Sequence, residues 1–244
     1  MQAAIIVLNY NGLDTTKKFI DHIYKNTQNF TLIMIDNGST DGSVEYLESI
    51  NKKYDNLILH LSKTNLGVIN GRNKGYEIYD ELKDKPNILG FLDNDQFVSN
   101  ENWLDQHISV MNQSQAQIVG AEAWIMNKSY VPMRRCKMRK QPWTYVGCGG
   151  MFMLKEVPEN IGMFDSRFNP CYFEDPDYCF RSILAGYKLS WNSQNSIIHL
   201  PHQTLGKNSN RHQLFKKSHK LFVEKWRSKN FYPTNRQQLV EALK

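Results

Sequence analysis

The sequence predicts an α/β fold, a mostly parallel, Rossmann-like sheet with helices on both faces. Three observations lead there. Apolar, β-rich runs alternate with segments of helical period through the first 112 residues, the pattern left by successive strand–helix–strand units. The runs are continuously apolar, as strands buried on both faces must be. Each run also ends in a polar cluster, and in such sheets ligands bind outside the carboxyl ends of the strands.

The elements follow in order. Ala3 to Leu8 is the first strand, and Leu13, Phe19, Ile20, Ile23 and Tyr24 share one face of a helix after it. Thr31 to Ile35 is the second strand, closed by the turn-rich run Asp36 to Gly42. Val44, Leu47, Ile50 and Tyr54 mark the next helix and Leu57 to Leu61 the third strand. A helix over Val68 to Leu82, a strand over Ile88 to Leu92 and a helix over Trp103 to Met111 complete the regular half. Residues 127 to 142, with Lys128, Arg134, Arg135, Lys137, Arg139 and Lys140 and with Pro132 and Pro142, suggest an excursion over the surface. Val146 to Leu154 reads as one Gly-rich strand and Asp175 to Ala185 as a helix. Leu189 to Trp191 and Ser196 to Leu200 read as a strand pair, and Asn208 to Asn230 as an amphipathic helix. No internal repeat is visible.

Composition narrows the classes. The chain has 244 residues, 41% hydrophobic and 22% charged, the make-up of a soluble globular protein of one domain with at most a small appendage. Thirty Lys and Arg against 24 Asp and Glu give a net charge of +6, compatible with an anionic partner. No apolar run approaches the roughly 18 to 20 residues of a membrane span. The opening run is too short for a signal peptide core, so a cytoplasmic location is expected. Cys136, Cys148, Cys171 and Cys179 lack Cys-x-x-Cys spacing and read as reduced, buried thiols.

Three motifs are missing: the P-loop, a Gly-x-Gly-x-x-Gly after the first strand, where Asn9-Tyr10-Asn11-Gly12 stands instead, and the Gly-x-Ser-x-Gly elbow. What is present is carboxylate. Asp93-Asn94-Asp95 follows a strand, so two hard oxygen ligands sit where a ligand binds and suit Mg²⁺ or Mn²⁺ bridging a diphosphate. An Asx turn capping the next helix is the structural alternative. Asp36 can accept from a base N–H or a ribose hydroxyl, or simply open its turn. Gly67, Gly71 and Gly75 share a helix face, where close helix–sheet packing explains them. Arg72 and Asn73 near that helix's start could reach a bound nucleotide. In Phe173-Glu174-Asp175-Pro176-Asp177, Pro176 fits the first helical position with Asp175 as N-cap. The chemical alternative for Asp175 is a general base. His199, after a short strand, could be structural or could complete a metal site.

These clusters occur in one order: Leu8 to Gly12, Ile35 to Ser43, Asn65-Leu66-Gly67 with Gly71 to Gly75, Leu92 to Asp95, Gly147 to Gly150, Glu174-Asp175 and His199. Over about residues 3 to 227 the set resembles a family 2 inverting glycosyltransferase of the GT-A type, in its rhamnosyltransferase-like branch. The resemblance implies a metal-dependent, non-processive enzyme moving a sugar from a nucleoside-diphosphate donor, of UDP or dTDP type, to a hydroxyl of a glycan or lipid-linked acceptor. It implies donor contacts from Leu8, Tyr10 (stacking on the base), Asp36 (on the pyrimidine), Arg72, Asp93 and Asn94. Asp95 and His199 would hold Mn²⁺ or Mg²⁺, Asp175 would be the catalytic base, and Glu174 would stand beside it toward the acceptor. His199 runs on into Leu200-Pro201-His202-Gln203 rather than a Gly-rich stretch, which leaves His199 and His202 as alternative ligands. The absence of Gln-x-x-Arg-Trp disfavours the processive synthases. On this reading residues 1–205 form one catalytic domain, with 1–112 binding the nucleotide sugar and 113–205 the acceptor. Residues 206–244 form a helical extension.

Two other classes compete. One is a non-catalytic sugar-nucleotide or glycan-binding module, against which the joint presence of Asp93, Asp95 and Asp175 argues. The other is a nucleotidyltransferase, whose Gly-rich basic loop is missing after the first strand. No motif for reading nucleic acid is present. Trp124, Trp143 and Tyr145 could stack on an acceptor sugar or belong to the core. The C-terminal helix carries Lys207, Arg211, Lys216, Lys217, Lys220, Lys225, Arg227 and Lys229 beside Leu214, Leu221, Phe222 and Trp226. Peripheral contact with an anionic membrane is one use of such a helix; docking of the apolar stripe on the domain is the favoured one.

Overall fold

The computed structural model describes residues 2–137, 141–194, 196–199 and 210–233. In chain order the elements are β1 (Ala3–Asn9), α1 (Leu13–Asn26), β2 (Phe30–Asp36), α2 (Ser43–Asn51), β3 (Leu57–Leu61), α3 (Gly67–Asp80), β4 (Ile88–Asp93) and β5 (Gln96–Val98). Then come α4 (Trp103–Ser114), β6 (Ile118–Gly120), β7 (Ala123–Met126), β8 (Pro132–Arg135), β9 (Tyr145–Val146), β10 (Met151–Leu154) and α5 (Glu156–Ile161). A 3₁₀ turn (Ser166–Phe168), α6 (Glu174–Leu184), β11 (Leu189–Trp191), β12 (Ile197–His199) and α7 (Arg211–Ser228) follow.

Seven strands make one sheet in the order β11-β6-β10-β4-β1-β2-β3. β1 is parallel to both β2 and β4, and β2 to β3, while β10 runs antiparallel to β4 and β6. Strands from both sides of residue 112 thus share the sheet. The chain order reverses between β1 and β4, the switch point at which open α/β sheets form their binding crevice.

β1 shows why its sequence is unbroken. Ala3, Ile5 and Val7 pack on one face with Phe19 and Ile23 of α1, Leu47 of α2 and Trp103 of α4. Ala4 and Ile6 pack on the other with Ile69 and Tyr79 of α3, Tyr178 of α6 and Phe222 and Trp226 of α7. With both faces covered, a period of two leaves no position for a polar residue until Asn9. Gly75 serves helix–sheet packing as expected: a Cβ there would come within 2.4 Å of Ile6 Cγ2.

Four expectations are corrected. The strand expected over Val146 to Leu154 is two, β9 and β10, because Gly147 to Gly150 form a turn in which Gly150 has φ +86°. Leu189–Trp191 and 196–200 do not pair with each other: β11 joins β6 and β12 joins β5, while Leu200 lies outside the described residues. The segment 127 to 142 contains β8, which with β7 and β9 forms a three-stranded antiparallel sheet; Arg139 and Lys140 lie outside the described residues. Finally, α6 starts at Glu174, with Phe173 at the N-cap position in a left-handed conformation and no side-chain cap. Pro176 is therefore the third helical residue rather than the first, and Asp175 is no cap.

The apolar stripe of α7 faces inward. Phe222 and Trp226 are fully buried and Phe215 and Leu221 pack against the same core. Lys225 turns inward too, to Asp165 and Asp177 at 2.8 and 2.6 Å, while Lys216, Lys217, Lys220, Arg227 and Lys229 face solvent. The helix begins at Arg211; the expected start at Asn208, and Lys207, lie outside the described residues. Among the described residues no helix is long and apolar enough to cross a membrane. All four cysteines are buried, free thiols.

Candidate active site

The strand ends converge by hydrogen bonding. Asn9, Asp36 and Asp93 come level because Asn9 pairs with Asp36 and Leu8 with Asp93 in the ladders. Asn9 Nδ2 donates to Asp36 Oδ1 at 2.7 Å, Asn94 Nδ2 to Asn9 Oδ1 at 3.2 Å, and Asn37 Nδ2 to Asn65 Oδ1 at 3.3 Å. One crevice edge therefore gathers all four polar clusters.

Asp36 is fully buried, and its second oxygen accepts from the backbone N–H of Gly38 and Ser39 at 3.1 and 2.9 Å. These are the bonds of a turn-opening aspartate. Asn94 likewise turns inward, donating also to Thr16 Oγ1 at 3.0 Å. Leu8 is half-buried against Gly71, and Tyr10 stands half-buried just past β1. Asn73 does not face the crevice: its amide exchanges two hydrogen bonds with the backbone of Phe164 at 2.9 and 3.1 Å.

Asp93, Asp95 and His199 come together, each offering a ligand atom within 4.8 Å of the others. β5 returns the chain after Asp95, and β12 pairs with it so that His199 stands opposite Gln96. His199 Nε2 lies 3.3 Å from Asp95 Oδ1, and this contact raises the imidazole's pKa against the opposing effect of burial. Two carboxylates and an imidazole form a donor set suited to Mn²⁺ or Mg²⁺. His202, the alternative ligand, lies outside the described residues.

Arg72 lies between two carboxylates. The residue is 6% exposed, and its guanidinium donates to Asp93 Oδ1 at 2.8 Å and to Glu174 Oε1 at 3.1 Å. One cation thus ties the Asp93–Asp95–His199 cluster to the helix carrying Asp175. Burial opposes its charge, but Cys148, Asp93, Glu174 and Asp175 around it push its pKa further up. Neither Glu174 Oε2 nor Asp175 Oδ1 receives a hydrogen bond from a donor among the described residues. Burial first, then the like charge of Glu174, holds the Asp175 carboxyl well above the ordinary range, against Arg72 and the Cys148 N–H. A carboxylate so raised is a stronger proton acceptor, the condition of a general base working near neutral pH. Tyr172 and Phe173, immediately before the pair, have φ +75° and +69°. Left-handed backbone at bulky residues costs about 1–3 kcal/mol each and persists where surroundings enforce it.

Sequence reasoning passed over Glu122. Its carboxylate is raised by burial and senses both His199 and Asp93, while Arg135 holds it at 2.5 Å. β6 ends at Gly120, so the strand-end rule that found Asp93 would have found Glu122 had this three-residue strand been recognised. Gly147 and Gly149 were placed in the site without a role. A Cβ at Gly149 would stand 2.5 Å from Asp93 Oδ2, and one at Gly147 3.4 Å from Trp124 Nε1 and 3.9 Å from Asp175 Oδ2. Of the three candidate stacking rings, Trp143 and Tyr145 are buried; Trp124 is half-exposed, with Arg135 5.2 Å over its ring.

The sheet order, the switch-point crevice and the carboxylate edge define a GT-A type glycosyltransferase fold. The chain belongs to glycosyl transferase family 2, whose family model matches residues 4–168. It is 27% identical over 200 residues to the glycosyltransferase AglE of Haloferax volcanii, a match spanning 77% of this chain and 63% of that one. The chain spans less than two-thirds of the curated relatives it matches, and only 32% of one of them. Two solved structures share the fold. GalNAc-T7 with UDP, GalNAc and Mn²⁺ superposes with a TM-score of 0.73 at 14% identity, covering 93% of this chain and 48% of that one. S. aureus TarS 1-349 in complex with UDP-GlcNAc gives 0.62 at 16% identity, covering 100% and 80%.

Proposed function

We propose that this chain is a metal-dependent, inverting glycosyltransferase of the rhamnosyltransferase-like branch. It moves a sugar from a UDP- or dTDP-type donor to a hydroxyl of a glycan or lipid-linked acceptor. The observation that carries the reading is the Arg72 bridge, which holds a cation-ready cluster and the buried Glu174–Asp175 pair, with Asp175 raised, at one crevice edge. The nucleotide, nucleotide sugar and Mn²⁺ bound by the fold's neighbours support the donor class.

Asp95 and His199, with Asp93 beside them, would hold a divalent metal, which when bound supplies Lewis-acid stabilisation to the departing diphosphate. The anomeric C–O bond breaks with its electron pair leaving on the nucleoside diphosphate. Asp175 takes the proton of the acceptor hydroxyl as the new C–O bond forms, so a single displacement inverts the anomeric centre. Glu174, held by Arg72, stands beside Asp175 toward the acceptor, and Gly147 leaves that approach open. Apart from His199, residues 1–112 serve the donor and 113–205 the acceptor. A lipid-linked acceptor at an anionic membrane would meet the basic outer face of α7 by charge alone, because its apolar stripe is spent on the core.

A panel of UDP-, dTDP- and GDP-sugars with Mn²⁺, read by thermal shift and by hydrolysis, tests the reading, since a bound ligand raises apparent stability. Asp95→Ala is expected to lose the metal-dependent shift while its own melting stays cooperative. Asp175→Asn is expected to keep the shift and lose turnover by about two to four orders of magnitude. Equal shifts in wild type and Asp95→Ala, or near-normal turnover in Asp175→Asn, overturn the assignments. Stabilisation by sugar nucleotides without any turnover would favour the non-catalytic binding module instead.

A further inference from the structure

We propose that α7 positions the base, and that Ser218 is a positioning residue holding the left-handed stretch from which Glu174 and Asp175 project. The proposal rests on Asp175 being the base. Ser218, 4% exposed, donates its hydroxyl to the carbonyl of Cys171 at 2.9 Å. Phe173 packs its ring 5.2 Å from Phe215, 5.3 Å from His219 and 5.2 Å from Phe222, all on α7, and Tyr172 lies 5.6 Å from Phe215.

The same helix grips the chain just past the carboxyl pair. Trp226 Nε1 donates to Asp177 Oδ1 at 3.0 Å, and Lys225 reaches that oxygen at 2.6 Å. Glu174 and Asp175 therefore lie between two points of attachment to α7, Cys171–Phe173 on one side and Asp177 on the other. A helix that only covered the core would need apolar contacts alone. Here a buried hydroxyl ends on the carbonyl that immediately precedes two strained residues.

Two consecutive aromatic residues with positive φ do not hold that conformation by themselves. Without the Ser218 bond, 171–173 is free to relax toward extended backbone, which shifts Glu174 and Asp175 relative to Arg72 and the Cys148 N–H. The donor side, built on the rigid ends of β1, β2 and β4, is untouched by that movement. The signature of Ser218 is consequently a loss in kcat with no change in donor KM.

The experiment compares Ser218→Ala with Leu221→Ala, a control on the same helix whose side chain packs on the core and lines a cleft with Ile161, Leu184 and Ala185. Both are assayed well below their melting temperatures on the nucleotide sugar hydrolysed in the panel above, because water attacking the donor needs the same base. Hydrogen exchange of peptides covering 169–177 is followed in parallel. Ser218→Ala is expected to lower kcat about three- to tenfold, the worth of one hydrogen bond, with donor KM unchanged and faster exchange at 171–175. Leu221→Ala is expected to keep kcat and KM. An unchanged kcat in Ser218→Ala, an equal fall in both variants, or a fall expressed in KM overturns the proposal. No turnover by wild type refutes the catalytic reading on which it rests, and a loss confined to Asp175→Asn refutes only the role of Ser218.

Discussion

Replacing Arg72 by methionine removes one cation from between two carboxylates while keeping an unbranched, apolar stem of similar length. The two partners are unequal. The Asp93 side chain is 34% exposed and stays partly hydrated, so its share falls in the range of surface pairs, about 0–1 kcal/mol. The Glu174 side chain is 9% exposed, with its other oxygen already lacking a donor. Stranding a buried charge of this kind costs about 3–5 kcal/mol, so Arg72→Met is expected to lose about 4 kcal/mol at pH 7.5. Pairing it with Glu174→Gln removes the stranded charge. The double variant is then expected to be more stable than the sum of the singles by about 2 kcal/mol, the size seen for groups in direct contact. Urea unfolding with an unchanged m-value measures all three variants. A loss below about 1 kcal/mol in Arg72→Met, or a cycle additive within about 0.5 kcal/mol, refutes the bridge as an energetic link.

Three further predictions follow from single environments. Glu174 raises Asp175 and Arg72 lowers it, so the acid limb of the kcat–pH profile is expected above the usual carboxylate range, moving down in Glu174→Gln and up in Arg72→Met; a limb that ignores both variants removes Asp175 from the base role. Burial pushes His107 down to about 4, so its contribution is intact above about pH 6.5 and is lost as the pH falls from there to about 4, by up to roughly 3 kcal/mol. Urea titrations across that window are expected to be flatter in His107→Phe, and parallel wild-type and variant curves would show the imidazole titrating normally. Gly75→Ala places a Cβ 2.4 Å from Ile6 Cγ2, and the overpacking of about 1–3 kcal/mol is expected to exceed the gain of about 1 kcal/mol in helix propensity; a stabilised variant in a thermal melt would contradict the packing.

The parts of the fold visible in sequence are those with a long, uniform environment. β1, β2 and β4 are covered on both faces, so each leaves an apolar run that ends where the sheet ends, and the polar residue there is automatically at the crevice. Short strands leave no such trace. β6 has three residues and β9 two, too few for any periodicity, and their identity as strands comes from partners far along the chain. β11 pairs with β6 and β12 with β5, which no local pattern encodes. Missing β6 hid Glu122, and reading β9 and β10 as one strand hid the turn that brings Gly149 to Asp93 and the Cys148 N–H to Asp175.

The site divides along the same line. Asp93 and Asp95 were legible because a strand end fixes them, and both lie with His199 in the cluster expected of them. Arg72 and Asp175 were ambiguous because their roles depend on what stands opposite. Arg72 meets Glu174 across 102 residues of chain, so its position near the start of α3 could not distinguish a nucleotide contact from a bridge to α6. Asp175 reads as an N-cap only if its helix begins at Pro176. The helix begins at Glu174 instead, because Tyr172 and Phe173 turn left-handed under α7, contacts supplied by the end of the sequence. A cap would spend the carboxylate on backbone N–H groups and lower its pKa. Moving the helix start leaves Asp175 with an unpartnered buried oxygen beside Glu174 and raises it. The difference between a spent cap and an available, raised carboxyl is here a matter of two residues of helix, decided by tertiary packing rather than by the residues themselves.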